Sequence, residues 1–310
     1  MRRNAESIGK KEWKGKENMF LNTVVDTLEC DILREKMLGA ERIVYDEQYS
    51  YIKASAKQRV DDNYNRVKIS PKHLIGYDKT NSRKEIENAI NYIAERIGVE
   101  KVDIEVSRID IAVDSNEDYS KSKKFNLYFF ELLTFNERHD KKFVCTSLND
   151  YKDNNIYLNS RDLKVSIYDK EKESKGLHAY KTRTEFRWVR YASLDTKKMC
   201  TRVIERLKGI EDNNAELEAK MIFRLHKNYE EEKAKGEIKT FTEFVRKYDK
   251  FFYNRNIIKG VYASIGLKGN FNTWIKEFKN KQPNFEYYTL KDIKAYRNLM
   301  IKSIKAYIKS

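Results

Sequence analysis

The chain has 310 residues, which is enough for one large domain or two smaller ones with a proper core. Its 63 Lys and Arg exceed its 48 Asp and Glu by 15, so we expect a polyanionic partner such as nucleic acid rather than a membrane. Three widely spaced cysteines give neither a disulfide framework nor metal-ligand spacing, and no stretch is long and apolar enough to span a bilayer. These features predict a cytoplasmic protein.

The first part of the chain shows a mixed pattern. Residues 1–18 carry six basic side chains and no apolar run, which predicts a flexible basic arm instead of a secretory signal. Helices are predicted at 31–39, from Ser82, where Ser82 and Glu85 form a capping box, and at 125–135. Strands are predicted at 20–30, 65–70, 102–114, 143–148, 155–159, 163–169 and 181–190.

The second part of the chain, after residue 195, shows only helical patterns. They cover 196–210, 214–235, 240–250, 271–280 and 289–308. Residues 241–310 hold 15 Lys and Arg against 5 Asp and Glu, so most of the excess charge lies there. We therefore expect this tail to carry most of the affinity for duplex DNA.

These patterns predict an α+β fold. A mostly antiparallel sheet with helices on one face should form a catalytic domain over residues 19–195. A helical, basic DNA-binding region should follow at 196–310.

The strand "SRIDIAVD" has an unusual polar face. Ile109, Ile111 and Val113 alternate as in a half-buried strand, so the opposite face carries Asp110 and Asp114 with only an alanine between them. Aspartate is a poor strand former. Strand stability therefore does not explain why two aspartates point to the same side of this strand.

Two further strands share this peculiarity. "LKVSIYDK" places Tyr168 and Lys170 opposite its apolar face, and "RTEFRWVR" does the same with Arg183, Glu185 and Arg187. A solvated sheet face with cross-strand ion pairs would explain any one of these strands. The three together favour a functional site.

The residue types on these faces suit phosphodiester chemistry. Asp110, Asp114 and Glu185 are hard oxygen ligands for Mg²⁺ or Mn²⁺. Tyr168 is the candidate nucleophile, and a metal with adjacent cations favours its phenolate. Lys170 and Arg183 are the candidate partners of the phosphate oxygens, and we expect both to act with Tyr168 as catalytic residues.

These motifs resemble those of rolling-circle replication initiators of Gram-positive plasmids and the related relaxases of integrative elements. The family pattern is an Arg-x-Asp-x-Ala-x-Asp strand, a Tyr-x-Lys strand and an Arg-x-Glu strand, in that order. Here the pattern matches Arg108 to Asp114, then Tyr168 to Lys170, then Arg183 to Glu185. The opening "VVDTLECDI" also resembles the first strand of the family, and replication proteins of filamentous phages carry similar short motifs.

The resemblance implies a metal-dependent nicking and joining enzyme that starts plasmid replication. Its tyrosine would be joined to the 5′ phosphate of the nicked origin and would leave a 3′-OH primer. The implied partners are Mg²⁺ or Mn²⁺, origin DNA as duplex and single-stranded hairpin, a host helicase and a second copy in a homodimer. The alternatives are a conjugative relaxase of the same family and a non-catalytic nucleic-acid-binding protein.

Other nickase classes do not fit the sequence. The four histidines are never two residues apart, which excludes the His-hydrophobic-His metal pair, and no phosphate-binding loop for ATP is present. The sequence leaves more than one candidate for the nucleophilic tyrosine. The rivals of Tyr168 near the same motifs are Tyr157, Tyr180 and Tyr191.

Overall fold

The fold is described from a computed structural model of the chain. The residues that the structure describes are 19, 21–33, 52–55, 64–69, 82–97, 100, 104–135, 156–159, 163–177, 179–189, 192 and 195–310. The predicted arm at 1–18 and the predicted strand at 143–148 lie outside these residues.

The described strands form one antiparallel sheet in the order β2-β3-β1-β4-β7-β6-β5. Together with the helices, the sheet confirms the predicted α+β fold. The strands are β1 (Leu21–Leu33), β2 (Ile52–Ser55), β3 (Tyr64–Ile69), β4 (Ile104–Ser115), β5 (Ile156–Asn159), β6 (Leu163–Asp169) and β7 (Thr182–Trp188).

The helices of the described residues are α1 (Arg83–Ile97), α2 (Tyr119–Thr134), α3 (Lys170–Glu173), α4 (Thr196–Lys208), α5 (Asn214–Ala234), α6 (Phe241–Lys247), α7 (Arg255–Ser264), α8 (Phe271–Lys281) and α9 (Leu290–Lys309). The capping box of α1 forms as predicted, with Ser82 N donating to Glu85 at 2.6 Å. None of these helices combines the length and apolar character needed to cross a membrane.

The described structure departs from the predicted elements at 31–33, at α3 and at α7. The helix predicted at 31–39 is wrong over 31–33, because β1 continues to Leu33, and its remainder lies outside the described residues. The helix α7 was not predicted. It has only ten residues and carries Gly260 near its middle, which weakens the helical pattern.

The side chains of the central strands divide between two faces of the sheet. Ile109, Ile111 and Val113 of β4 are fully buried on the apolar face. In the register of β4 with β7, Ile111 lies opposite Phe186, which is equally buried. The alternation therefore leaves the polar residues of the same strands on the other face.

Helices α4 and α9 pack on the apolar face. The guanidinium of Arg202 in α4 lies 5.7 Å from the ring centroid of Trp188, on the apolar side of β7. In α9, the hydroxyl of Ser303 is 2.7 Å from the hydroxyl of Thr23. Thr23 lies opposite the apolar-face residue Val113. The end of the chain therefore helps to cover the sheet.

The chain forms two compact units. One includes the sheet and contains the described residues of 20–122, 133–209 and 299–310, and the other is helical and contains 123–132 and 210–298. The helical unit contains an aromatic cluster of Phe241, Tyr262, Phe271, Trp274 and Phe278. The domain boundary predicted at residue 195 stays a prediction.

We predict that substitutions in the last turns of α9 destabilise the sheet unit. Ile304 is fully buried, so Ile304→Ala should lower the free energy of unfolding by about 2–5 kcal/mol through lost apolar contact and a cavity. The neighbouring Lys305→Ala, at an exposed position, should change it by less than about 0.5 kcal/mol. Urea denaturation measures both, and equal stabilities of the two variants would contradict the packing of α9 on the sheet.

Candidate metal centre

The polar face of β4, β7 and β6 brings the predicted site residues side by side. In the register of β4 with β7, Asp110 lies opposite Arg187 and Asp114 opposite Arg183. In the register of β6 with β7, Tyr168 also lies opposite Arg183. Each residue reaches this face through strand alternation alone.

The acidic part of this face is buried, although a solvated face was the simpler interpretation of each strand. The side chains of Asp110 and Asp114 are both 0% exposed, and Arg183 is 1% exposed. Burying charged groups away from water is costly unless they are paired. A solvated acidic sheet face is therefore wrong for these residues.

Three carboxylates of the sheet converge. Asp26, Asp110 and Glu185 each offer a carboxylate oxygen, and these oxygens lie within 4.8 Å of one another. Hard oxygen ligands at this spacing can bind a divalent cation. Within the described part of the chain, this is the cluster whose geometry fits a metal.

Strand β1 supplies Asp26 at an irregular position. The register with β4 shifts between Val25 and Thr27, as at a β-bulge, so Asp26 is the extra residue. Such bulges often redirect a side chain toward a functional site. The hydroxyl of Thr27 donates to Asp26 at 3.1 Å and helps to fix it.

A small side chain makes room for this convergence. Ala112 lies between the two aspartates on β4, opposite Glu185 on one side and Val24 on the other. Because alanine ends at its β-carbon, the Glu185 carboxylate can turn toward its neighbours. The alternation of acid, alanine and acid in "DIAVD" therefore has a structural reason.

Asp114 lies on the same face, but its carboxylate is bound by an arginine. Arg183 donates to its two oxygens from Nε at 2.6 Å and from Nη2 at 2.7 Å. The same guanidinium donates to Asp26 from Nη1. The structure thus brings together two of the three predicted ligands, Asp110 and Glu185, and adds Asp26, which the sequence analysis did not select.

Two further arginines surround the cluster. Arg108 donates to Asp110 at 2.5 Å and to Glu29 at 2.8 Å. Arg187 donates to Asp110 at 3.1 Å and to Glu185 at 3.0 Å. These ion pairs join five carboxylates to three guanidinium groups, so the set has a formal charge of −2. A divalent cation would balance that charge.

Burial and the negative charge of the cluster both act on Glu185. Burial first, and then the charges of Asp110 and Asp26, raise the pKa of Glu185 above its usual range, although Arg187 opposes the shift. Metal binding requires the ionised carboxylate. A cation in the cluster would therefore stabilise the charged form that burial and repulsion disfavour.

Tyr168 lies at the edge of this cluster. Its hydroxyl donates to the Glu185 carboxylate at 3.2 Å. Burial first, and then the charge of Glu185, raise the pKa of Tyr168 far above its usual value. The phenol is therefore protonated in the metal-free protein, and its ionisation depends on a change in the charge of its surroundings.

Lys170 does not continue the strand as the sequence pattern suggested. It begins the short helix α3, its side chain is almost fully buried, and its ammonium donates to Glu173 at 2.5 Å. The same ammonium lies 5.8 Å from the centroid of the Tyr168 ring. Lys170 is thus a neighbour of the candidate nucleophile, and its catalytic role stays a prediction.

The rival tyrosines have different surroundings. Tyr180 is half-buried in the segment before β7, and burial followed by the charge of Asp114 raises its pKa. Tyr157 lies opposite Ser166 in the register of β5 with β6. Its side chain and the whole of Tyr191 lie outside what the structure describes.

Comparison with known proteins gives a distant structural similarity and no match to a protein family or to a curated protein. No protein-family model matches the chain. No curated protein matches it. Among solved structures, the chain is similar to the rolling circle replication initiator protein from Geobacillus stearothermophilus, with 15% identity and a TM-score of 0.31. The similarity covers 55% of this chain and 75% of that protein.

We predict that Glu185→Gln stabilises the metal-free protein at pH 8. The pKa of Glu185 is raised in the folded protein above its unfolded value of about 4.3. The contribution of Glu185 to the stability of the fold is therefore fully present below about pH 4.3. It is then lost as the pH rises through the folded-state pKa. The variant should therefore gain on the order of 1 kcal/mol for each pKa unit of the shift.

Thermal unfolding with and without Mn²⁺ measures this effect. The wild type should gain stability from Mn²⁺, and the variant should gain less because one ligand is lost. Glu171→Gln, at an exposed position of the same unit, is the matched control and should follow the wild type in both conditions. A metal-free Glu185→Gln protein that unfolds at a lower temperature than the wild type would show that the ion pair with Arg187 dominates.

Proposed function

We propose that the chain is a metal-dependent DNA nicking and joining enzyme that initiates rolling-circle replication. One observation carries the proposal, namely the hydrogen bond that places the hydroxyl of Tyr168 on the buried cluster of Asp26, Asp110 and Glu185. A phenol beside three hard oxygen ligands suits attack on a phosphodiester. The order of the three strand motifs supports the same function.

Asp26, Asp110 and Glu185 are the proposed ligands of a Mg²⁺ or Mn²⁺ ion. When bound, the ion supplies positive charge that polarises the scissile phosphate and favours ionisation of Tyr168. This set differs from the sequence-based one at a single position, because Asp114 instead anchors Arg183.

The chemical step makes one bond and breaks one bond. The Tyr168 oxygen attacks the phosphorus as its proton passes along the hydrogen bond to Glu185 and on to water, which leaves Glu185 ionised. The 3′ oxygen of the upstream strand departs and takes a proton from water. The downstream strand stays on Tyr168 through its 5′ phosphate, and attack by a 3′-OH reverses the reaction and joins the strands.

The cations around the cluster have different proposed roles. Arg187 is 31% exposed and borders Glu185, so it can reach an oxygen of the scissile phosphate. Arg183 is fully enclosed by Asp26 and Asp114, so it positions Asp26 instead of contacting the substrate. Lys170 holds positive charge beside the ring of Tyr168.

The proposed partners follow from the family resemblance. They are origin DNA as duplex and single-stranded hairpin, a host helicase and a second copy of the chain. A non-catalytic nucleic-acid-binding protein is the competing function, because every carboxylate of the cluster already accepts a hydrogen bond from an arginine. The two functions differ in whether a covalent adduct forms.

We predict that Tyr168→Phe abolishes the covalent adduct and that Tyr180→Phe retains it. The probes are single-stranded oligonucleotides from the replicon that encodes the chain, labelled at the 3′ end and incubated with Mn²⁺. The 3′ label should migrate with the protein on a denaturing gel, whereas a 5′ label should be released on the shorter strand. Phenylalanine keeps the ring and removes only the attacking oxygen.

EDTA is the control for the metal, and when it is present from the start it should prevent formation of the adduct until Mn²⁺ is added in excess. The circular dichroism of both variants should match that of the wild type. An adduct that persists in Tyr168→Phe would assign the reaction to another tyrosine. If the wild type forms no adduct with any strand of its own replicon, the binding protein is the better account.

A further inference from the structure

The helical unit contains a pair of helices whose outer surface has no role in the proposed nicking reaction. Helix α7 is followed by the loop 265–270 and then by α8. In this loop Gly266 and Gly269 both have positive φ, at 70° and 156°, which favours glycine. Residues 255–282 carry six Lys and Arg and a single Glu, a strongly basic segment.

The inner face of α8 is held rigidly by aromatic packing. The ring of Phe271 lies 5.5 Å from Tyr262 of α7, and Trp274 lies 5.0 Å from Phe241 of α6. Farther along the helix, Phe278 packs edge-on against Phe285 at 4.8 Å. This packing fixes which face of α8 points outward.

The outward face of α8 is polar. Asn272, Thr273, Lys276 and Asn280 are exposed and lie on one stripe of the helix. Within the described residues, no hydrogen bond or ion pair engages the side chains of Thr273, Lys276 or Asn280. The stripe carries one lysine, and Glu277, the single acidic residue of α8, is also exposed. The ammonium, amide and hydroxyl groups of the stripe are donors and acceptors of the kinds that read base edges.

The start of α8 is also set in place. Asn270 caps the helix by accepting from the backbone N–H of Asn272 at 2.9 Å. Arg255 of α7 donates to the side-chain oxygen of Asn272 at 2.6 Å and lies 5.2 Å from the ring centroid of Phe271. The side chain at the head of the stripe is thus oriented before any ligand binds.

We infer that the outward face of α8 enters the major groove of duplex DNA and reads its sequence. A helix with side chains is about 10–12 Å across, and the major groove of B-form DNA is about 12 Å wide. Asparagine pairs with adenine and lysine with guanine in this groove. The inference rests on the proposed function in one respect, namely that the recognised duplex is part of a replication origin.

The test measures binding by the full chain in EDTA, so that strand cleavage cannot interfere. The probes are short fluorescent duplexes that together cover the replicon encoding the chain, and a random-sequence duplex of the same length. The wild type should prefer one replicon duplex in fluorescence anisotropy. Asn280→Ala should weaken that preferred complex about tenfold and leave the random duplex unaffected, because no charge is removed.

A matched pair of lysines separates base reading from general charge. Lys276→Ala and Lys302→Ala each remove one positive charge from an exposed helical position that has no described ion-pair partner. Both should reduce binding to random duplex similarly, with a salt slope shallower by about 1 at most. Only Lys276→Ala should weaken the preferred complex about tenfold more than that.

Three results with duplex DNA and one with duplex RNA would overturn the inference. Those with duplex DNA are a wild type that does not distinguish the duplexes, an Asn280→Ala protein with unchanged preference, and a Lys276→Ala protein no weaker than Lys302→Ala. Tighter binding to an RNA duplex of the preferred sequence would overturn it as well, because a helix does not fit the A-form major groove.

The covalent adduct on single-stranded DNA, measured in the same variants, distinguishes this inference from the proposed function. The α8 variants should form it at the wild-type level. If the wild type forms no adduct yet shows the predicted binding, the proposed function fails and the inference stands. If the adduct forms and the wild type shows no preference among duplexes, only the inference fails.

Discussion

The repulsion among buried carboxylates is the constraint on which the site depends. Asp26, Asp110 and Glu185 lie within 4.8 Å of one another at positions that water hardly reaches. Like charges at that distance repel strongly in a medium of low dielectric constant. Arginines surround the cluster, yet the set keeps a formal charge of −2. A protein can keep such an arrangement when a cation completes it, which is why we interpret the cluster as a metal centre.

The sheet separates stability from chemistry by strand alternation. Ile111 and Phe186 face the helices and supply apolar burial, while Ala112 and Glu185 belong to the opposite face. A register slip of one residue would exchange the two faces. The apolar contacts with α4 and α9 therefore also hold the carboxylates in register, and changes on the apolar face are expected to affect the site.

The local patterns of the sequence were sufficient to predict much of the sheet. The strands β4, β6 and β7 were predicted because apolar alternation is visible within a few residues. Asp26 was missed because its place in the cluster depends on a register shift against β4. A signal was present, since Asp26 interrupts an otherwise buried strand just as Asp110 does.

Pairing across strands could not be predicted in the same way. Asp114 lies on the same face of β4 as the proposed ligand Asp110 and is equally buried. Only its bidentate ion pair with Arg183, 69 residues away, distinguishes it from a metal ligand.

The helix α7 was missed for a related reason. Its Gly260 weakens the local pattern, but a β-carbon there would come within 2.2 Å of Ile222 in α5, so helix packing requires the glycine.

The most direct test of the metal centre is the anomalous scattering of Mn²⁺ in crystals of the full chain. The account predicts a peak within about 2.0–2.6 Å of carboxylate oxygens from Asp26, Asp110 and Glu185. It also predicts that Asp114 stays bound to Arg183. A peak coordinated by Asp114, or Mn²⁺-soaked crystals with no peak at the cluster, would contradict it.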